Sequence, residues 1–298
     1  MFCAMSKLSG PLKALINAPH ARPGPVAASK RIAAIFNAIA RDAASKGVGL
    51  SAWLSISTAA TMTMNSPESL LELHRIATAT SDQSQKVSAA ELMREVGLKC
   101  ISFNGIPRSI NCLGAFYTGL PPAISSTMSR TPSRNLTESS LKSRLRRGIG
   151  LWKSIYHPFD EKLTAKLGQS HPDLPVHIHE SHYAGLLSNP PSTSNTSASN
   201  PDQQPPSQRV GRILTSLIGI SCLRAQTGVG PQVLSHVFGL RKAYEDGSYE
   251  ADDVQVEGGK WLASDEGSVW ILETVDRIVD ALGEGGGTTF APGLKAKL

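Results

Sequence analysis

The chain has 298 residues, 40% of them hydrophobic and 18% charged, which is enough apolar material to bury a core and excludes wholesale disorder. No run approaches the roughly eighteen consecutive apolar residues of a membrane span, and four scattered cysteines exclude a disulfide-stapled scaffold. The net charge of +6 sits at one end: residues 1–50 hold seven Lys or Arg against the single acid Asp42, and the remainder is balanced. The excess therefore describes the N-terminus and gives no support to a nucleic-acid groove in the body. With no sign of a secreted scaffold, the Asn-x-Ser/Thr matches at Asn135 and Asn195 read as chance rather than glycan sites.

Forty-one residues precede the first carboxylate, and they are rich in Ala, Ser, Arg and Lys. That is the composition of an organelle transit segment, which predicts a mitochondrial location with the cytoplasm as the alternative. Residues 1–27, broken by Pro11, Pro19, Pro23 and Pro25, read as flexible or removed. From Ser29 to Ala44 the pattern predicts a helix with Ile32, Ile35, Phe36 and Ile39 inward, closed by Gly47 and Gly49. Ser66 before Pro67 predicts the next helix start, followed by Leu70, Leu71, Leu73 and Ile76 at helical spacing. Ser88 with Glu91 three residues later predicts another, with Leu92, Met93 and Val96 inward. Residues 97–117 form the densest apolar stretch of the first half, divided by Gly105 and Pro107 into two helical pieces.

Residues 121–140 read as a loop, and LKSRLRR (141–147) as a solvated basic face rather than a nucleic-acid contact. In HPDLPVHIHESH, His171, His177, His179, Glu180 and His182 form a cluster. His177 and His179 share one face if the segment is a strand, which makes a candidate metal-ligand set. The prolines at 172 and 175 place the cluster at a loop-to-helix entry instead, where histidines cap backbone groups or meet water, and no metal site is expected. Residues 188–208, SNPPSTSNTSASNPDQQPPSQ, have one non-proline apolar residue and predict a disordered linker. It separates a helical N-terminal half (28–187) from a helical C-terminal half (209–283), with a flexible tail at 284–298. The stretch 245–284 carries twelve carboxylates against Lys260 and Arg277, a countercharge for the basic run.

After the linker, Val210, Ile213, Leu214, Leu217 and Ile218 recur at i, i+3, i+4, i+7 and i+8, predicting an amphipathic helix to about Ala225. Thr227-Gly228-Val229-Gly230 breaks it, and Pro231 opens a second helix with Val233, Val237, Leu240 and Tyr244 on one face. His236 falls on or beside that face. This arrangement, RVGRILTSLIGISCLRAQTGVGPQVLSHVFGLRKA (209–243), resembles the core of the carboxymuconolactone decarboxylase family and its alkylhydroperoxidase D-like members. The segment VGLKCISFNGIPRSINCLGAF (96–116) looks like a degenerate first copy. The resemblance implies an all-α bundle of two degenerate halves that assembles as a homo-oligomer.

Redox members of that family place Cys-x-x-Cys ahead of the histidine, one thiolate attacking peroxide and the other resolving it. Aligned on His236, those two positions hold Val229 and Gln232, so the thiol cycle is missing. The resemblance leaves His236, Cys222 and Gln232 as candidate catalytic residues, His236 as an acid/base or as a hydrogen-bonded core residue. Cys222 reads as a nucleophile near His236 or as a small buried hydrophobe. Cys100 and Cys112, twelve apart, lack the second pair of a structural zinc site, and no phosphate-binding glycine motif occurs, so no cofactor is expected. One functional expectation is a weak antioxidant oxidoreductase or a lyase on a small acid, with a small-molecule ligand. The other, favoured by the missing cysteine pair, is a catalytically inactive helical assembly or binding protein.

Overall fold

A computed structural model describes residues 8–190 and 209–283. Residues 1–7, most of the expected linker (191–208) and the expected tail (284–298) lie outside the described residues. The class is all-α, with no strand among the described residues.

Ser9 caps a short first helix, α1 (Gly10–Ile16), none of whose residues is buried. α2 (Ile32–Ser45) follows the expected stripe, burying Ile32, Phe36, Ile39 and Ala43, while Ile35 is only half-buried. α3 (Leu50–Thr63) lies at the centre, with every residue from Ala52 to Thr63 buried. Three of its hydroxyls are accommodated by local back-bonding: Ser55 donates to the Ser51 carbonyl at 2.6 Å, Thr61 to the Ser57 carbonyl at 2.7 Å and Thr63 to the Ala59 carbonyl at 2.8 Å. α4 (Pro67–Ala77) begins where Ser66 and Pro67 predict, though the Ser66 hydroxyl pairs with Ser69 rather than capping.

α5 (Gln83–Lys99) begins five residues before Ser88. Asp82 and Gln85 form a complete capping box there, while Glu91, the expected partner of Ser88, accepts from the Ser129 amide and from Arg94. Gly105, at φ 77°, divides α6 (Ile101–Asn104) from α7 (Ile106–Gly119) as expected. α8 (Pro122–Ser125) is a single turn inside the expected loop. The basic run lies within a long helix, α9 (Glu138–Tyr156), capped by Thr137 and Ser140. α10 (Asp160–Ser170) and α11 (Asp173–His177) lead into a π-helical segment at Ile178–Leu187.

Beyond 208 come α12 (Arg212–Gln226), α13 (Gly230–Glu245), α14 (Gly259–Leu262) and α15 (Asp265–Gly283). α12 is buried almost all round and packs against α3, α13 and α15. The main core therefore draws on both sides of the linker, joining Phe36, Leu54 and Val96 to Leu217, Ile220 and Ile278. A smaller apolar cluster, Trp152, Ile155, Tyr183 and Leu187, lies between α9 and the π-helical segment.

Two features bind the linker's ends to this body. Ser188 is buried, so the first residues of the expected linker belong to the packing. The Lys99 ammonium, fully buried on α5, donates to the Leu187 carbonyl (2.6 Å), the Asn189 side chain (2.9 Å) and the Val210 carbonyl (2.6 Å). It thus ties both flanks of 191–208 to α5. The acidic C-terminal stretch pairs away from the basic run: Arg209 with Asp253, Arg224 with Asp276, Arg241 with Asp265, and Arg31 with Asp280. Arg144 of the basic run donates instead to the Arg134 and Gly185 carbonyls.

Candidate functional site

His236 projects from α13 against α12 at Gly219, where a Cβ would stand 2.6 Å from the imidazole Nδ1. Only glycine lets the two helices hold the ring between them. The side chain is 4% exposed, with the Phe103 ring edge-on at 5.7 Å and the Tyr156 ring at 6.1 Å. Its Nε2 lies 3.4 Å from the Tyr156 hydroxyl, and Tyr183 donates to that hydroxyl at 3.2 Å. Nδ1 has no hydrogen-bond partner among the described residues.

The electrostatics keep this group neutral. Burial pushes the His236 pKa down to about 4, and the nearby Arg212 guanidinium adds to the shift. Burial raises both tyrosines above their ordinary value, so the hydroxyls stay protonated. Arg212 is itself buried and is pushed down to about 10, which leaves it charged at neutral pH. Its guanidinium donates to Ser216 (2.6 Å), the Ser154 carbonyl (3.0 Å) and the Gly239 carbonyl (2.7 Å). Asp252 caps α12, accepting the Arg212 and Ile213 amides.

Cys222 has a different set of neighbours. Its Sγ lies 3.5 Å from Cys100 Sγ, with Asn104 and the Ala59 carbonyl also at its sulfur (3.8 and 3.9 Å). α6 lies over both places, giving Phe103 to the histidine and Asn104 to the thiol. Both cysteines are fully buried, and burial together with Cys222 pushes the Cys100 thiol well above its ordinary value. Cys112, elsewhere on α7, is pushed up to about 12 by burial. Gln232 is exposed on the first turn of α13, and Val229 is its half-buried N-cap residue. The structure thus places His236 inside the helix pair as expected, pairs Cys222 with a cysteine rather than with the histidine, and leaves Gln232 in solvent.

The histidine cluster folds on α11 and the π-helical segment, not on a strand, so His177 and His179 diverge. His179 packs on Trp152 at 4.7 Å, His182 pairs with Ser102 at 3.0 Å, and His177 meets His182 edge-on. No group of three or more His, Cys, Asp or Glu among the described residues is placed to hold a metal ion.

A cavity of about 430 Å³ opens between α9, residues 187–190 and the start of α12. Its wall reaches Ser154 and Arg212 and stops short of His236 and Tyr156. Sequence reasoning missed Tyr156, Tyr183, Arg212 and Lys99. Lys99, alone in the apolar run GLKCISF, was the one with a visible signal, since a cation there must find internal acceptors. Among known proteins, no family model, curated protein or solved structure matches this chain.

Proposed function

We propose that the chain is an alkylhydroperoxidase D-like helical protein that acts by binding a small molecule, without the family's thiol cycle. The observation that carries this reading is the burial of His236. A general acid/base needs a pKa near the working pH and contact with its substrate. A sealed imidazole at about 4, ringed by Phe103, Tyr156 and Gly219, has neither property. The family's two cysteine positions hold Val229 and Gln232. Assembly into homo-oligomers, part of the same proposal, would draw on the exposed Leu234 and Phe238 of α13. A mitochondrial location rests on the basic, acid-free first 41 residues alone.

The test is peroxide consumption with a thiol reductant, comparing wild type with Cys222→Ser and His236→Ala. The proposal expects no sustained turnover in any of the three. Turnover in wild type that both substitutions abolish overturns it.

The contact between Cys100 and Cys222 favours one second reading, a dithiol oxidoreductase. In that scheme the Cys222 thiolate attacks a hydroperoxide, the O–O bond breaks, and an alcohol or water leaves. Cys100 then displaces water from the sulfenic acid to form the disulfide, which an external dithiol reduces. The burial of both sulfurs opposes it. Loss of turnover in Cys100→Ser, with His236→Ala unaffected, would distinguish this scheme from the histidine-dependent one.

A further inference from the structure

The cavity beside α9 and α12 carries more positive charge than its own carboxylates neutralise. Arg147, Arg209 and Arg212 line it, against Asp252 and Asp253. Asp252 is occupied by the two amides at the start of α12, and Asp253 pairs with Arg209 at 2.9 Å. Arg147 has no ion pair among the described residues, and the Nε–H groups of both Arg147 and Arg212 are buried without an acceptor. Two guanidinium donors left unsatisfied at one cavity are costly, because a buried donor without a partner loses its water and gains nothing in return. Lys99, bound to the Leu187 and Val210 carbonyls of the same wall, is paired with the buried Glu95 at 3.8 Å and is left out of this balance. Leu151, Leu214, Val254 and Val256 give the wall an apolar side, beside the polar Ser188, Asn189 and Thr215.

We propose that this cavity binds a small monocarboxylate with a short aliphatic body, its carboxylate on Arg147 and its chain against the leucine and valine wall. A carboxylate matches the fork of a guanidinium and supplies two acceptor oxygens. A dianionic phosphate fits less well, since Asp252 and Asp253 stand in the same wall. The volume of about 430 Å³ suits a ligand of this size. This site deepens the binding function proposed above and rests on it.

The test is calorimetric titration of the full chain with octanoate, octanol and inorganic phosphate. The site predicts one octanoate per chain and at least tenfold weaker binding of octanol and phosphate. Arg147→Gln should weaken octanoate at least tenfold and leave octanol unchanged. Arg147→Lys, which keeps the charge and loses the Nε–H, should fall between, and serves if the glutamine variant does not fold. Absence of octanoate binding, equal octanol binding, or no effect of either substitution overturns the site. Octanoate binding that appears only after residues 191–208 are deleted would also overturn it, by naming that segment as the occupant. These outcomes are separable from the peroxide assay: an empty cavity without turnover refutes the carboxylate site alone, whereas sustained turnover refutes the non-enzymatic reading.

Discussion

Replacing Gly219 by alanine probes the contact that seals His236. In an open helix interior the change is worth about 1 kcal/mol of added stability, because glycine has more backbone freedom to lose. Here the new methyl would lie 2.6 Å from Nδ1 and 2.8 Å from Cε1 of a buried ring. That ring has little room to retreat, since Phe103 and Tyr156 stand on its other sides. Overpacking of this kind costs about 1–3 kcal/mol, so the expected net effect in wild type is a loss of about 1 kcal/mol. At this chain length that is roughly 2 °C in midpoint. In a His236→Ala background the obstruction is gone, and the same substitution should gain about 1 kcal/mol, a coupling of about 2 kcal/mol between the two positions. Urea denaturation of the four proteins gives the cycle directly. An equal gain from Gly219→Ala in both backgrounds would refute the packing argument.

Other consequences follow from single residues. The Lys99 pKa is pushed down to about 7 by burial, so the unfolded chain holds that proton more tightly than the folded one. Stability relative to Lys99→Met should therefore rise with pH above about 7, by up to about 1.4 kcal/mol per pH unit, and a flat difference between pH 6 and 9 would contradict this. Thr227 ends α12 at φ 64° and ψ 165°, a region nearly reserved for glycine. Thr227→Gly should gain about 1 kcal/mol in thermal unfolding, the strain relieved outweighing the entropy added; a destabilised variant would refute it. Peroxide added in mild denaturant should link Cys100 to Cys222, seen as a loss of two alkylatable thiols in intact mass, whereas Cys100→Ser should stop at a sulfenic acid on Cys222. Retention of both thiols would place the sulfurs apart.

The helices with a clear inside and outside were legible in the sequence. α2 and α13 each carry an apolar stripe, and His236 could be placed on the inner face from its spacing to Val233 and Val237, whereas α12, expected to be amphipathic, is buried almost all round because α3, α13 and α15 surround it. α3 left no such trace, because Ala52 to Thr63 is buried on all sides, with Ser55, Thr61 and Thr63 bonding to their own backbone. Polar composition there reports local back-bonding rather than contact with water. The histidine cluster was legible in place but not in contacts: Pro172 and Pro175 marked the helix entry, whereas nothing in the sequence set His179 against Trp152 or His182 against Ser102. The candidate site was only half readable. Tyr156 meets His236, and Tyr183 stands behind it, from elements that tertiary packing alone brings together, and Cys100 reaches Cys222 across more than a hundred residues.

His236 is a sealed, neutral residue of the helix pair. Its folded pKa of about 4 lies below the ordinary histidine value of about 6.5, so the unfolded state binds the proton first as pH falls. The stabilisation is present above about pH 6.5 and is lost as the pH drops toward 4, amounting to about 3 kcal/mol. The direct measurement is the titration of the His236 ring resonances by NMR, assigned with His236→Ala. The expected result is ring signals that hold the neutral imidazole position down to about pH 5. A His236 midpoint near 6.5 would mean that the ring meets solvent, and would return it to the list of working acid/base groups.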